Sequence, residues 1–143
     1  MKSFQYRISI EIELPRQTVV ENLFDYDQFV NYQEPPLQSY ALKQGQYLQP
    51  GAIVDLVYLY KKQEIHMAEI TVECDLPNSI HQLFILGEVK NKCISHFIDT
   101  KKGTLWTMDV TFQFPKDDGQ DKLEYMKKTE EDMVTFKHYV ENL

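Results

Sequence analysis

Residues 4–15, FQYRISIEIELP, alternate between apolar and polar side chains and end on a proline. Successive side chains of a β-strand point to opposite faces, so this alternation predicts a strand with one buried face. The apolar set is Phe4, Tyr6, Ile8, Ile10 and Ile12. Pro15 suits the first position of a helix, where its missing N–H would be unpaired anyway. We therefore expect an amphipathic strand that leads directly into a helix.

Further alternating segments follow, separated by turn signals. Two short helical patterns come first, over Val19–Phe24 and Tyr26–Val30, and the prolines of Glu34-Pro35-Pro36 end the second. The predicted strands then cover residues 37–47, 52–60, 64–74, 79–86, 91–99 and 104–114. Pro50-Gly51 and Gly103 mark two of the turns, because glycine readily adopts the left-handed backbone that such turns require. With the first strand, these segments predict a seven-stranded antiparallel sheet.

The last segment has the pattern of a long helix. Residues 120–143 contain no proline, and their apolar side chains recur at intervals of three and four. This spacing predicts an amphipathic helix of about 35 Å, at about 1.5 Å per residue. A helix of that length matches the concave face of a curved seven-stranded sheet and would close it. The expected fold class is α+β, in the order strand, two short helices, six strands and one long helix.

Composition and charge limit the classes of protein. The chain has 143 residues, of which 43% are hydrophobic, so we expect one domain over 1–143. Its formal net charge of −7 argues against a nucleic acid as partner, because such binding depends largely on Lys and Arg at phosphates. No apolar run is long enough to insert across a membrane, and the charged first strand does not match a signal peptide. Two cysteines are too few for a disulfide scaffold, so a cytoplasmic location is expected.

Several turn and helix signals occur in the order that one superfamily shows. They are Ile8-x-Ile-x-Ile12-x-x-Pro15, Val19-x-x-x-Leu23-x-Asp25, Gly45 to Pro50-Gly51, Glu73-x-Asp75-x-Pro77, Gly103-Thr104-x-Trp106 and the closing helix. The whole chain thereby resembles the helix-grip fold of the SRPBCC, or START-like, superfamily, which includes the birch-pollen allergen and the polyketide cyclase/dehydrase and lipid-transport families. The resemblance implies a sheet that grips the C-terminal helix over an internal cavity, commonly for an apolar or aromatic small molecule. It does not imply one reaction.

Two histidines are the candidate catalytic groups. The turn spacing predicts that His81 lies opposite His96 and near Met108, with all three facing the cavity. Either histidine could act as a general base, or each could be a structural polar group hydrogen-bonded to a neighbour. His66 would lie about 20 Å from His81, at about 3.3 Å per residue, which is too far for one zinc ion. We therefore expect neither a metal nor a cofactor.

The positions of the charged residues predict which face of strand 64–74 points inwards. We expect the face that carries Ile70 to point inwards and the face that carries Glu69 and Glu73 to be solvated, because unpaired charge in an apolar interior is costly. A two-residue turn before this strand would instead point Asp55 into the cavity. The predicted ligand-binding residues are Tyr58, Tyr60, Ile70, His81, His96, Trp106, Met108, Met126, Met133 and Phe136. Among them, tyrosines would orient a ligand and methionines would adapt to its shape.

Two functions depend on the predicted cavity. The first is the binding or transport of a small hydrophobic or aromatic molecule, lipid-like or polyketide-like. The second is a polyketide cyclase or dehydratase with His81 or His96 as the general base. Tyr58 or Trp106 would then position the ring of the substrate.

A third function depends on the outer surface. Phe84 and Leu86 would form an exposed apolar patch if both face outwards, and such a patch is typical of a protein-interaction module. The sequence favours the small-molecule function, with a monomer or a homodimer as the assembly. It leaves open whether the protein catalyses a reaction.

Overall fold

One curved antiparallel sheet and a long helix make up most of the molecule. The structure is a computed structural model and describes residues 1–143. Its elements are β1 (Lys2–Ile12), α1 (Arg16–Leu23), a 3-10 helix (Tyr26–Asn31), β2 (Leu37–Gln44), β3 (Ile53–Tyr60), β4 (Gln63–Asp75), β5 (Ser79–Leu86), β6 (Val89–Asp99), β7 (Thr104–Phe114) and α2 (Lys122–Glu141). The strand order across the sheet is β1-β7-β6-β5-β4-β3-β2. The predicted fold class and the predicted order of elements are confirmed.

The first and last strands of the chain are neighbours in the sheet. They pair along their whole length, with Ile8 opposite Met108 and Ile10 opposite Trp106. Tyr6, Ile8 and Ile12 of β1 are buried, as the alternation of the first strand predicts. This pairing brings the N-terminal stretch next to the only tryptophan of the chain.

Helix α2 lies across the inner face of the sheet. Met133, Phe136 and Val140 of α2 are buried in the same hydrophobic core as the apolar residues of β1. Polar contacts join the same two elements: the hydroxyl oxygens of Tyr6 and Thr129 are 2.7 Å apart. Asp121 caps the N-terminus of α2. Its carboxylate accepts a hydrogen bond from the backbone N–H of Leu123.

The short helices pack against the sheet, α1 against β6 and the 3-10 helix against β2. Pro15 precedes α1 as its N-terminal cap, one position earlier than predicted. The 3-10 helix is capped by Asp25, whose carboxylate accepts a hydrogen bond from the backbone N–H of Asp27. Tyr26 and Phe29 of this helix are buried in a second hydrophobic core. The other buried members of that core are Leu37, Val54 and Leu56.

A two-residue turn sets the face of β4. Lys61 and Lys62 form this turn with φ values of 50° and 65°, the left-handed conformation of a tight hairpin. Val54 then lies opposite Glu69. Because residues that lie opposite each other share a face of the sheet, Glu69 points inwards with the buried Val54. Ile70 consequently points outwards, so the predicted faces of Ile70 and Glu69 were wrong. Glu73, which follows a β-bulge, is exposed as predicted.

The register of β5 also differs from the prediction. Leu86 pairs with Val89, so the turn between β5 and β6 holds two residues, and His81 lies opposite Ile94 instead of His96. Ile80 and Gln82 are the buried residues of β5, which places His81 on the outer face. This strand carries apolar side chains on both faces, so the pattern alone did not distinguish its inner face.

Neither helix combines the length and the apolar character that crossing a lipid bilayer requires.

Candidate functional site

A cavity of about 570 Å³ lies between the concave face of the sheet and α2. This volume falls within the range of about 300–1,000 Å³ that is typical of small-molecule sites. Its wall is mainly apolar, since 17 of the 27 lining residues are hydrophobic. The large apolar lining residues include Leu23, Phe24, Phe29, Leu56, Met67, Phe84, Trp106, Met108, Met133 and Phe136. The predicted cavity is therefore present, with its lining drawn from β3 to β7 and from all three helical segments.

Trp106 forms a rigid part of this wall. Its indole Nε1 donates a hydrogen bond of 3.1 Å to Oγ of Ser95. Its ring stacks on Phe97 at a centroid distance of 6.1 Å and meets the edge of Phe136 at 5.9 Å. A hydrogen bond and two aromatic neighbours thus fix the orientation of the largest side chain in the cavity.

Six of the ten predicted ligand-binding residues line the cavity. They are Tyr58, Tyr60, Trp106, Met108, Met133 and Phe136. Met126 packs against the hydrophobic core and is not part of the lining. Ile70, His81 and His96 lie on the outer face of the sheet, so their assignment to the cavity was wrong.

The histidines take part in surface contacts. Nε2 of His96 lies 3.7 Å from Asp109, which also forms an ion pair with Arg7 at 2.6 Å. Nδ1 of His66 lies 3.1 Å from Asp55, so Asp55 also faces outwards despite the two-residue turn. Nowhere do three His, Cys, Asp or Glu side chains come together as metal ligands.

Tyrosine and apolar side chains shape the mouth of the cavity. The hydroxyl of Tyr58 donates a hydrogen bond of 3.0 Å to Oε1 of Gln33, and burial raises the pKa of this phenol. Tyr60 and Leu86 line the cavity and are also exposed to solvent. Because they belong to the lining and are also exposed, they lie at the opening of the cavity. Phe84 lines the cavity, so it does not contribute to the outer apolar patch that the sequence suggested with Leu86.

Glu69 is the lining residue that sequence reasoning missed. It is only 3% exposed, and its Oε1 accepts a hydrogen bond from the hydroxyl of Tyr26. Burial raises the pKa of the Glu69 carboxyl from 4.5 to about 7, although the hydrogen bond from Tyr26 opposes this change. The signal that could have found Glu69 is the length of the Lys61-Lys62 turn, since a two-residue turn places Glu69 opposite Val54.

A second buried polar side chain lies close to Glu69 on the inner face. Gln82 is 7% exposed and lines the cavity, and it lies opposite Thr71, two residues along β4 from Glu69. Diagonal neighbours of this kind have Cα atoms about 7–8 Å apart. Glu69 and Gln82 thus form a small buried polar region in a wall that is mainly apolar.

The lining also contains a buried thiol, Cys93, and an exposed ion pair, Lys128 with Asp132. The thiol of Cys93 is buried, which raises its pKa to about 12 and leaves it a poor nucleophile at neutral pH. Lys128 and Asp132 of α2 are exposed and form an ion pair of 2.9 Å beside the opening. Neither feature supplies the histidine base that a cyclase or dehydratase was expected to use.

No family model matches the sequence, and no curated protein is significantly similar to it. Solved structures do share its fold. Ara h 8.0201 superposes with a TM-score of 0.83 at 12% sequence identity, over 99% of this chain and 100% of its own. The major latex-like protein 151 from Panax ginseng reaches a TM-score of 0.72 at 17% identity, over 96% of this chain and 97% of its own. A protein from Nitrosomonas europaea reaches 0.73 at 13% identity, over 96% and 94% of the two chains.

These structures match nearly the full length of the chain, so the likeness includes the sheet, the short helices and α2 together. At such identities the likeness concerns the fold. It agrees with the resemblance that the turn and helix signals predicted. The chain therefore has the helix-grip fold of the SRPBCC, or START-like, proteins.

Proposed function

We propose that this protein binds, and so can carry, a small hydrophobic or aromatic molecule in the cavity between the sheet and α2. The observation that supports this function most strongly is the cavity itself, which has a volume of about 570 Å³ and is lined mainly by apolar side chains. Small-molecule sites are typically preformed cavities with an apolar wall and a few polar groups.

The wall offers both rigid and adaptable contacts to an apolar ligand. Trp106 and Phe136 provide aromatic surface, and aromatic pairs are worth about 0.5–1.5 kcal/mol beyond the burial of their area. Met67, Met108 and Met133 also line the cavity. Because an unbranched thioether adapts to irregular shapes, these methionines favour a site that accepts ligands of related shape.

Binding or transport is supported better than either alternative. A cyclase with His81 or His96 as its base requires an imidazole in the cavity, and both histidines lie on the outer face. The interaction module was expected to use Phe84, whose side chain lines the cavity instead. Tyr60 and Leu86, which line the cavity and are exposed, add apolar surface at its opening for an entering ligand.

Titration with pyrene tests the proposal. Trp106 is the only tryptophan and lines the cavity, and its emission overlaps the absorption of pyrene, so energy transfer from Trp106 reports the binding of pyrene to the protein. We expect saturable quenching of Trp106 with one pyrene bound per chain. Unchanged tryptophan emission up to the solubility limit of pyrene would contradict the proposal.

Two tryptophan substitutions on β4 provide a matched control. Met67 lines the cavity, whereas His66 is exposed on the other face of the same strand. Met67→Trp fills part of the cavity and should weaken pyrene binding, measured by the emission of pyrene itself. His66→Trp should leave the affinity unchanged. Equal effects of the two substitutions would show that pyrene binds outside the cavity.

A further inference from the structure

We propose that Glu69 and Gln82 are a polar anchor that selects apolar ligands carrying a hydrogen-bond-donating head, a hydroxyl or an amine, and rejects those with a carboxylate head. This inference rests on the proposed function and specifies the chemical class of its ligand. It concerns one end of the ligand, while the apolar wall accommodates the rest.

Glu69 keeps one carboxylate oxygen free for a ligand. Oε1 accepts the hydrogen bond of Tyr26, and no protein group hydrogen-bonds Oε2. Every fully buried side-chain oxygen or nitrogen in the structure has a partner, so Oε2 must be accessible from the cavity that Glu69 lines. At about pH 8 the Glu69 carboxyl, whose pKa burial raises to about 7, is mainly ionised and accepts hydrogen bonds only. A hydrogen-bond donor is then the matching group on the ligand.

Gln82 is a second group with unused hydrogen-bonding capacity. Its side chain is 7% exposed and lines the cavity, and its amide makes no hydrogen bond within the protein. Buried amides are ordinarily hydrogen-bonded, so an unpartnered one that faces a cavity is a contact point for a ligand. The amide oxygen of Gln82 can accept a second hydrogen bond from an amine, and its NH2 group can donate a hydrogen bond to a ligand hydroxyl oxygen.

The lining offers no unpaired cation that would balance a carboxylate bound at Glu69. The titratable groups that face Glu69 are Tyr26 from the 3-10 helix and Tyr58 from β3. The only cation among the lining residues is Lys128 of α2, which already forms an ion pair with Asp132 at 2.9 Å. A carboxylate head at the anchor would therefore meet a like charge in an apolar site, which is unfavourable.

A series of pyrene probes with one ring system and different heads tests the anchor. At about pH 8 we expect pyrenemethanol to bind at least about tenfold more tightly than its methyl ether, because only the alcohol can donate to the ionised Glu69. Pyrenecarboxylate should bind more weakly than the ether at about pH 8, where Glu69 is mainly ionised. This comparison uses the unmodified protein, so it does not depend on the folding of a variant.

Two Glu to Gln substitutions on β4 assign the preference to one residue. Glu69→Gln retains an oxygen that accepts from Tyr26 and removes the charge. It should reduce the preference for the alcohol over the ether and strengthen the binding of pyrenecarboxylate. Glu73→Gln is the control, since Glu73 is exposed and lies opposite His81 on the outer face. It should leave the order of affinities unchanged.

The outcomes separate the anchor from the cavity. If no pyrene probe binds, the proposed function itself fails. If all probes bind with similar affinity and Glu69→Gln changes none of them, the cavity stands and the anchor is wrong. If the preference exists but Glu73→Gln abolishes it as Glu69→Gln does, the selectivity arises outside the cavity and the anchor is again wrong.

Discussion

Tyr26 donates the hydrogen bond of its hydroxyl to Glu69, and this contact joins the 3-10 helix to the inner face of β4. Both residues are buried, with 8% and 3% of their surfaces exposed. Glu69 belongs to the wall of the cavity, whereas Tyr26 lies behind it. The contact therefore links the packing of the second hydrophobic core to the polarity of the candidate site.

Removing the hydroxyl of Tyr26 should destabilise the protein. Tyr26→Phe leaves a buried carboxyl without its donor, and such losses cost about 1–3 kcal/mol of the free energy of unfolding. The aromatic packing of Tyr26 on Phe29 is retained in this variant. Urea denaturation at neutral pH measures the change.

Tyr60→Phe is the matched control for this prediction. Tyr60 is 47% exposed, and its hydroxyl makes no hydrogen bond within the protein. We expect its substitution to change the free energy of unfolding by less than about 0.5 kcal/mol. An equal effect of the two variants would mean that the contact between Tyr26 and Glu69 does not stabilise the fold.

The stability of the protein should fall between mildly acidic and neutral pH. Burial raises the pKa of Glu69 from 4.5 to about 7, so the native state holds a proton that the unfolded chain has already released. The stabilisation is fully present below about pH 4.5 and is lost as the pH rises through about 7. Its size is about 3 kcal/mol, at about 1.4 kcal/mol per unit of pKa difference.

Glu69→Gln isolates this contribution, because glutamine does not titrate. Urea denaturation from acidic to weakly alkaline pH measures the free energy of unfolding of the unmodified protein and of this variant. As the pH rises, the unmodified protein should lose stability relative to the variant. A difference that stays constant across that range would contradict the raised pKa of Glu69.

Gly103 is predicted to be the glycine least tolerant of substitution. A Cβ at this position would lie 2.6 Å from the backbone nitrogen of Leu14 and would also collide with the carbonyl oxygen of Ile12. At Gly87 nothing lies within 4 Å of an added Cβ, so Gly87→Ala adds only the cost of a left-handed alanine, about 1–2 kcal/mol. Thermal or urea denaturation should show that Gly103→Ala loses at least about 2 kcal/mol more than Gly87→Ala. Similar losses at both sites would contradict the close approach of this turn to the end of β1.

Substitution of the outer histidines should not affect ligand binding. His81 and His96 lie on the face of the sheet opposite the cavity. We expect His81→Ala and His96→Ala to retain the affinity of the unmodified protein for pyrene. A loss of binding in either variant, with its free energy of unfolding unchanged, would place that histidine in the ligand path.

Much of the fold was predictable because its signals are local. Phe4 to Ile12 alternate over several residue pairs, and the apolar spacing of residues 120–143 repeats over several helical turns without a proline. An error of one residue therefore does not change the predicted strand or the predicted helix. The structure places these segments at Lys2–Ile12 and Lys122–Glu141. The pairing of Ile10 with Trp106 follows once the first and last strands lie side by side.

The inner faces of β4 and β5 were less predictable, because a single residue in a turn reverses them. Ile70 lies opposite Ile53 and Leu83 on the outer face, so the outer surface is itself partly apolar there. The charge of Glu69 argued for exposure, yet a hydrogen bond from Tyr26 permits its burial. That partner is 43 residues away in the chain, and no local pattern reports it.

The crystal structure of the complex with pyrenemethanol tests the proposed function most directly. We predict ring density in the cavity between Trp106 and α2, with the hydroxyl within hydrogen-bond distance of Oε2 of Glu69. A ring in the cavity with its hydroxyl turned away from Glu69 would contradict the anchor alone. Crystals grown with the probe at saturation that show it only on the outer face, or nowhere, would contradict the account that this cavity is a ligand-binding site.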